Sequence, residues 1–287
     1  MNYEEAYARY LARIEGALQK RCRECAAPEP LRSAMEYSLM AGGKRIRPVM
    51  LLAACEAFGG NADEALPFAC ALEMIHTYSL IHDDMPEMDD DDLRRGKPTN
   101  HRVYGQGMAL LAGDGLLSWA FETMLAAANA GENHLNAMRA LARAAGIGGM
   151  VSGQCRDLEQ KPENGEAELY RLCAEKTGAL LSGAAEAGAA IAGADENTRL
   201  RMRRYGEALG VSFQIKDDLL DIEGDAALLG KATHMDEQRG KMTYPHLLGL
   251  DRAKRVMEEQ TAQALELLGS DAPFLTEMTM RLLKRDH

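Results

Sequence analysis

The sequence predicts an all-α protein, a bundle of roughly ten or more helices, and three observations carry that expectation. Leu, Met, Ala and Glu are abundant while aromatics make up only 5% of 287 residues, and alternating runs of Val, Ile or Thr are nearly absent; the first group suits helices and the second is what strands need. Apolar residues recur at helical spacing, most clearly Met108, Leu111, Ala112, Gly115, Leu116 and Trp119 at i, i+3, i+4, i+7, i+8 and i+11, which predicts one buried stripe. No Pro/Ser/Gly-rich linker, low-complexity run or break in composition divides the chain, so a single domain over 1–287 is expected although the length exceeds the usual domain size.

Taken in order, helices are expected over 3–20, 30–41, 48–58, 63–85, 107–129, 133–157, 166–192, 196–222, 251–268 and 273–285. Pro86 should end the fourth, because it disfavours helical geometry at the residue before it and removes a backbone donor. The stretch 179–194 is rich in Ala and Gly but is interrupted by Ser182 and Glu186, so it is no membrane span. Phe213, Ile215, Leu219, Leu220 and Ile222 mark the helix over 196–222 as largely buried.

Several functions are disfavoured. A net charge of −11 argues against a nucleic-acid surface, which needs basic patches to neutralise phosphates. No apolar run of 18 residues is present, and the start, Met1-Asn2-Tyr3-Glu4-Glu5, lacks the blocks of a signal peptide; a cytoplasmic protein is expected. The six cysteines (22, 25, 55, 70, 155, 173) imply no disulfides in that compartment, and Cys22-x-x-Cys25 has no second pair or His companion to complete a zinc site.

Two acidic clusters lie about 130 residues apart. The first puts seven carboxylates into ten residues, Asp83, Asp84, Glu87 and Asp89 to Asp92, with Arg94, Arg95 and Lys97 directly after. At 4 Å and an effective dielectric of about 20, each like-charge contact would cost roughly 4 kcal/mol. Asp83 and Asp84 also fall at a helix C-terminus, where the macrodipole is negative; a cation relieves both effects. In the second cluster, Asp217 and Asp221 are four residues apart on one helix face and Asp218 is turned about 100° away. Such a pair suits a hard ion such as Mg²⁺, commonly held by one or two carboxylates plus substrate phosphate oxygens. Neither cluster is a calcium loop: a frame from Asp221 puts Ala226 and Ala232 where Gly and Glu are required, and one from Asp89 meets Leu93.

Gly42-Gly43-Lys44-Arg45-Ile46-Arg47-Pro48 is a glycine-flexed loop with three cations, suited to close backbone approach and forked contacts with phosphate oxygens. Lys176-Thr177-Gly178, Lys231 and Lys241 add further cations. Two carboxylate grips and several cationic sites are what an enzyme needs to hold more than one diphosphate.

The segments IHDDMPEMDDDDLRRGKPTNH (81–101), GGKRIRP (42–48), EKTGALL (175–181), FQIKDDLLDIEGD (213–225), GKATH (230–234) and KMTYPHLLGL (241–250) resemble, in order and over nearly the whole chain, the short-chain trans-prenyl diphosphate synthases. The match is closest to bacterial-type farnesyl diphosphate synthases (geranyltranstransferases). The resemblance implies mostly antiparallel helices around a central cavity, the two aspartate motifs facing across its mouth, and a homodimer. It implies three Mg²⁺ ions, with Mn²⁺ as a substitute, held by Asp83, Asp84 and Asp89 and by Asp217, Asp218 and Asp221. Arg94, Lys176 and Lys231 would contact the allylic diphosphate, dimethylallyl or geranyl. Gly43, Lys44, Arg47, His76 and Arg95 would hold isopentenyl diphosphate, while Thr177 and Gln214 would steady the developing cation. The reaction so implied is ionisation, condensation and proton loss to give (2E,6E)-farnesyl diphosphate, with the released diphosphate rather than His76 as proton acceptor.

Product length follows from geometry. Tyr78 lies five residues before Asp83, about 7.5 Å deeper by helical rise, where an aromatic would act as a floor; with the adjacent Ser79 it is the expected chain-length element. In the resembled family, bulk there and two extra residues inside the first motif mark fifteen-carbon synthases. Lys216 stands where Arg is more usual in the resembled family, and Glu87 inside the first motif stands where a small residue is common and is either an added ligand or solvated. Arg285, a candidate C-terminal basic residue over isopentenyl diphosphate, has no secure counterpart. The alternatives are a geranylgeranyl or geranyl diphosphate synthase. More distant are a class I terpene cyclase, which needs no second diphosphate site, and a non-catalytic regulatory subunit, which would lack one aspartate cluster.

Overall fold

The structure is a computed structural model that describes residues 2–128, 131–160, 165–223 and 241–284. The described residues are helical almost throughout. In chain order the elements are α1 (Tyr3–Glu24), α2 (Leu31–Leu39), α3 (Ile46–Ala57), α4 (Ala62–Asp83), a two-stranded ribbon of β1 (Leu93–Arg94) and β2 (Lys97–Pro98), α5 (Asn100–Tyr104), α6 (Gln106–Ala127), α7 (Glu132–Ala145), α8 (Met150–Leu158), α9 (Glu166–Cys173), a π turn (Ala174–Gly178), α10 (Ala179–Ile191), α11 (Glu196–Glu223), α12 (Tyr244–Leu248), α13 (Leu250–Leu268) and α14 (Pro273–Lys284).

Local chemistry sets the ends that matter here. Asn2 and Glu5 close a reciprocal capping box on α1, which satisfies two orphan donors. Asn61 caps α4 with Asp63 and Glu64 in its first turn, the sign that suits a helix N-terminus. The far end of α4 stops at Asp83 with Asp84 as its cap, just ahead of Pro86 as expected. Arg95 and Gly96 both take positive φ, 53° and 74°, and so turn the ribbon within two residues as a primed turn does.

α4 packs on α6 and α3, α10 on α3, α7 and α11, and α11 on α13. A main apolar cluster runs through α1 to α4, α6, α7, α10, α11, α13 and α14, while a smaller one joins α9, α11, α12 and α13. No helix among the described residues is long and apolar enough to cross a membrane. All six cysteines are free.

Three expectations need correction. The helix foreseen over 133–157 is two, because the glycines from Gly146 to Gly149 break it into α7 and α8. The helix foreseen over 166–192 is interrupted by the π turn. In α6 the apolar stripe is rotated: Leu111 is 51% exposed, and the buried face runs through Ala109, Ala112, Gly113, Leu116 and Ala120. Small residues line it because α4 approaches closely there, a methyl group at Gly113 falling 2.1 Å from His82 Nε2. The short α5 and α12 were not foreseen.

Candidate active site

α4 brings His76, Tyr78, Ser79 and Asp83 to one cavity of about 510 Å³, completed by Arg47, Gln154, Lys176, Thr177 and the apolar Met150, Val151 and Leu180. A second cavity of about 480 Å³ is lined by Gly43, Lys44, Arg45, Arg47, Glu73, His76 and Arg95. Arg47 and His76 border both, so an apolar chamber and a cationic one adjoin across a shared wall.

The cationic chamber is built by the loop before α3. Gly42 and Gly43 take φ of 85° and 121°, a region that only glycine enters freely. A side chain on Gly43 would meet the Arg95 guanidinium at 2.6 Å, and Arg95 donates to the Gly42 carbonyl. Arg45 is left-handed, φ 47°, and its side chain turns inward to Glu73 (2.7 Å), Glu15 (2.8 Å) and the Leu39 carbonyl (2.7 Å). That anchor holds Lys44 and Arg47 on either side of it. Arg47 Nη1 lies 3.4 Å from His76 Nε2; since a guanidinium has no acceptor, this ring nitrogen carries the lone pair and His76 is neutral with its proton on Nδ1. Enclosure of the ring, then the neighbouring Arg47, holds its pKa well below the ordinary imidazole value. Arg47 Nε is buried without a partner, a donor waiting for an acceptor.

On the other side, each described carboxylate of the first motif with a resolved partner faces a cation or an amide. Asp84, 3% exposed, takes Arg94 Nε at 2.7 and 2.9 Å and Nη2 at 2.5 Å. Asp83 accepts from Gln154 Nε2 at 2.6 Å and has Lys176 Nζ at 4.0 Å. Asp89 pairs with Lys241 at 3.3 Å. Burial raises the pKa of both Asp83 and Asp84, against the pull of Lys176 and Arg94, so at neutral pH they are costly charges that a further cation would relieve. Glu87 is exposed.

The π turn links the two motifs. Lys176 donates to Asp157 at 2.7 Å, and Thr177 donates to Gln214 Oε1 at 2.8 Å. Gln214 Nε2 then donates to Asp218 at 2.9 Å, whose other oxygen accepts from the Tyr244 amide at 3.3 Å. Asp218 and Asp221 are buried within α11 and Asp217 is half-buried. Asp218 thus orients Gln214, in keeping with its place off the face shared by Asp217 and Asp221. Lys231 and Arg285 lie outside the described residues.

Asp157, Gln154, Glu73 and the Arg45 anchor were missed by sequence reasoning. Asp157 accepts from both Lys176 and Lys241 (2.7 and 3.2 Å). Burial pushes its pKa up, but the two ammonium groups outweigh it and hold the carboxyl below the usual range. In sequence, Gln154 and Asp157 look like the polar face of any helix; only their i, i+3 spacing beside Gly153 was available as a signal.

Among the described residues, no three His, Cys, Asp or Glu side chains close into a ready metal cluster. The donor set nonetheless fits Mg²⁺: every group is a hard carboxylate oxygen, presented in ones and twos, and this ion usually completes its shell with substrate oxygens and water.

Comparison with known proteins agrees with this geometry. The polyprenyl synthetase family model matches residues 28–278. The chain is 44% identical, over 99% of its length and 94% of the relative's, to farnesyl diphosphate synthase of Geobacillus stearothermophilus. It is 47% identical, over 85% of its length and 71% of the relative's, to chloroplastic geranylgeranyl pyrophosphate synthase 11 of Arabidopsis thaliana. The crystal structure of an FPP/GFPP synthase from Zymomonas mobilis superposes with a TM-score of 0.85 at 35% identity, covering 98% of this chain and 99% of that one. Two adjoining chambers, one of them lined by Asp83, and a family match over most of the sequence lead to one conclusion: the chain belongs to the polyprenyl synthetase family.

Proposed function

We propose that this single-domain enzyme is a Mg²⁺-dependent prenyltransferase that condenses isopentenyl diphosphate with dimethylallyl or geranyl diphosphate to give farnesyl diphosphate. The observation that carries the reading is the pair of adjoining cavities. One is lined by Lys44, Arg45, Arg47 and Arg95 and suits a second diphosphate; the other runs from Asp83 past apolar side chains to Tyr78 and suits an allylic tail.

In this reading Asp83, Asp84 and Asp89 with Asp217, Asp218 and Asp221 carry Mg²⁺, up to three ions, and the metal supplies charge neutralisation to the departing diphosphate. Lys176, Arg94 and, outside the described residues, Lys231 add to that neutralisation, which is largest where charge develops. Gly43, Lys44, Arg47 and Arg95 grip isopentenyl diphosphate, and neutral His76 orients Arg47 by accepting from it. The hydrogen-bonded Thr177 and Gln214 turn oxygens toward the nascent allylic cation. With its pKa depressed, His76 is a poor base, and the proton passes to released diphosphate.

Tyr78, 7% exposed, stands edge-on to His82 with ring centroids 5.7 Å apart, and Ser79 Oγ is turned to the His76 carbonyl at 2.8 Å. Two packed rings make a stiff floor, which favours the fifteen-carbon product. The identity to a chloroplastic geranylgeranyl pyrophosphate synthase supports the runner-up, a twenty-carbon product. We also propose a homodimer, on the strength of an apolar face of α6 where Leu110, Leu111 and Leu125 are 47%, 51% and 62% exposed; single exposed apolar residues are ordinary, but a shared face is not.

The deciding experiment incubates the chain with Mg²⁺, isopentenyl diphosphate and either allylic starter, and identifies product chain length. Absence of condensation with both starters rejects the proposal, and a twenty-carbon product selects the runner-up.

A further inference from the structure

Lys176 and Thr177 sit on the π turn Ala174–Gly178 between α9 and α10. Such turns hold one residue more than an α turn and persist where packing maintains them. Two glycines provide that packing. A methyl group on Gly153 of α8 would stand 2.1 Å from the Lys176 amide nitrogen and 2.4 Å from its Cα. One on Gly210 of α11 would stand 2.2 Å from Gly178 Cα and 2.9 Å from its nitrogen. Both contacts are with main chain, so no side-chain rotation relieves them.

The glycines are matched to the chemistry beside them. Neighbouring residues on such a turn still point in different directions, by somewhat less than the roughly 100° of an α-helix, and Lys176 reaches Asp157 of α8 at 2.7 Å while Thr177 reaches Gln214 of α11 at 2.8 Å. Asp157 is four residues after Gly153 and Gln214 four residues after Gly210, so each polar contact lies one turn beyond the glycine that lets its helix approach. We propose that Gly153 and Gly210 are positioning residues: by bringing α8 and α11 into contact with the main chain of the π turn, they fix where the Lys176 ammonium and the Thr177 hydroxyl stand over the allylic diphosphate. This rests on the synthase reading above. Restoring ordinary contact after adding a methyl group would part the backbones by more than about 1 Å, and a misplacement of about 1 Å already costs on the order of 100-fold in rate.

The test compares Gly153→Ala and Gly210→Ala with Gly16→Ala, where a methyl group meets nothing within 4 Å. Expected for the first two are a retained helical signal, parental affinity for isopentenyl diphosphate by calorimetry, and a kcat with geranyl diphosphate lowered about 100-fold. Gly16→Ala keeps parental kcat. Because Gly210 acts through Thr177, Gly210→Ala/Thr177→Val should be within about threefold of Gly210→Ala alone. Parental kcat in either variant, multiplicative losses in the double variant, or joint loss of helical signal and isopentenyl diphosphate affinity overturns the proposal, the last because the glycines would then serve the whole bundle. If the parent chain itself fails to condense the substrates, the synthase reading falls instead. Amide exchange then decides the clamp: protection over 174–178 should drop about tenfold in both glycine variants and hold in Gly16→Ala, and unchanged exchange refutes it.

Discussion

Glu73→Gln probes the anchor beneath the cationic chamber. Arg45 and Glu73 side chains are 1% and 2% exposed and 2.7 Å apart, and the substitution keeps volume and an acceptor while removing the charge. Breaking a buried pair from one side costs about 3–5 kcal/mol because the surviving charge stays uncompensated. Here Arg45 retains Glu15 at 2.8 Å and the Leu39 carbonyl at 2.7 Å, and Glu15 is 34% exposed, so its help is partly screened. With those partners kept, the expected loss falls at or just below the bottom of that range, about 2–3 kcal/mol. At roughly 2–4 °C per kcal/mol for a chain of this size class, Tm falls by about 5–10 °C. Kinetics should change as well. Arg45 is held at φ 47°, a conformation that costs a non-glycine residue about 1–3 kcal/mol, and weakening its anchor lets the loop relax and displace Lys44 and Arg47. If half the lost energy is felt at the ligand, KM for isopentenyl diphosphate rises about tenfold, while kcat at saturation and KM for the allylic substrate stay within about twofold. Circular dichroism melting and initial rates with each substrate varied in turn measure both effects. A Tm within about 2 °C of the parent, or an unchanged KM for isopentenyl diphosphate, would show that the pair does not hold the loop.

Four further outcomes are expected. Tyr78→Ala opens the floor of the apolar chamber, so product analysis should show chains beyond fifteen carbons; an unchanged spectrum refutes the floor. Asp83→Ala and Asp217→Ala should abolish turnover with the helical signal intact, and retained activity in either would remove it from the metal set. For Asp157→Asn the pH dependence is diagnostic: a depressed folded pKa adds stability above the unfolded value that is lost as pH falls through the folded one, so the variant's deficit in Tm should be full at pH 7 and shrink below about pH 4, whereas a pH-independent deficit contradicts the Lys176 and Lys241 pairing. Leu110→Asp with Leu111→Asp should give a monomer by light scattering if α6 carries the dimer contact, and an unaltered mass argues for another face.

Much of the scaffold was readable from the chain because local rules decided it. Pro86 ended α4 and left Asp83 and Asp84 at its C-terminal end. The four-residue spacing placed Asp217 and Asp221 on one face. What escaped was decided by contacts between distant segments. The inward turn of Arg45 depends on Glu73 from α4 and Glu15 from α1, and one sequence offers no reason to separate it from its cationic neighbours. The rotation of α6 depends on His82 entering the space above Gly113, so small size rather than hydrophobicity marks the buried face and Leu111 turns outward. The π turn depends on glycines in α8 and α11, and 3.6-residue periodicity reads straight through it.

The same long-range logic answers the charge problem posed by the first acidic cluster. Its own neighbours supply only part of the compensation, with Arg94 occupied by Asp84. Further compensation comes from Arg102 at Asp92, and from Lys176 on the π turn and Lys241 before α12, which meet at Asp157 and reach Asp83 and Asp89 from there. Lys176 therefore faces two demands, a carboxylate in the free protein and a diphosphate in the reading proposed here. An ammonium on a four-carbon stem can meet both, because it is a point charge whose contacts do not require one fixed fork. A Lys176→Arg variant separates the demands: the guanidinium keeps the charge and can lock onto Asp157 with two bonds, so stability should be retained while turnover falls, and a variant as active as the parent would show that release from Asp157 is not required.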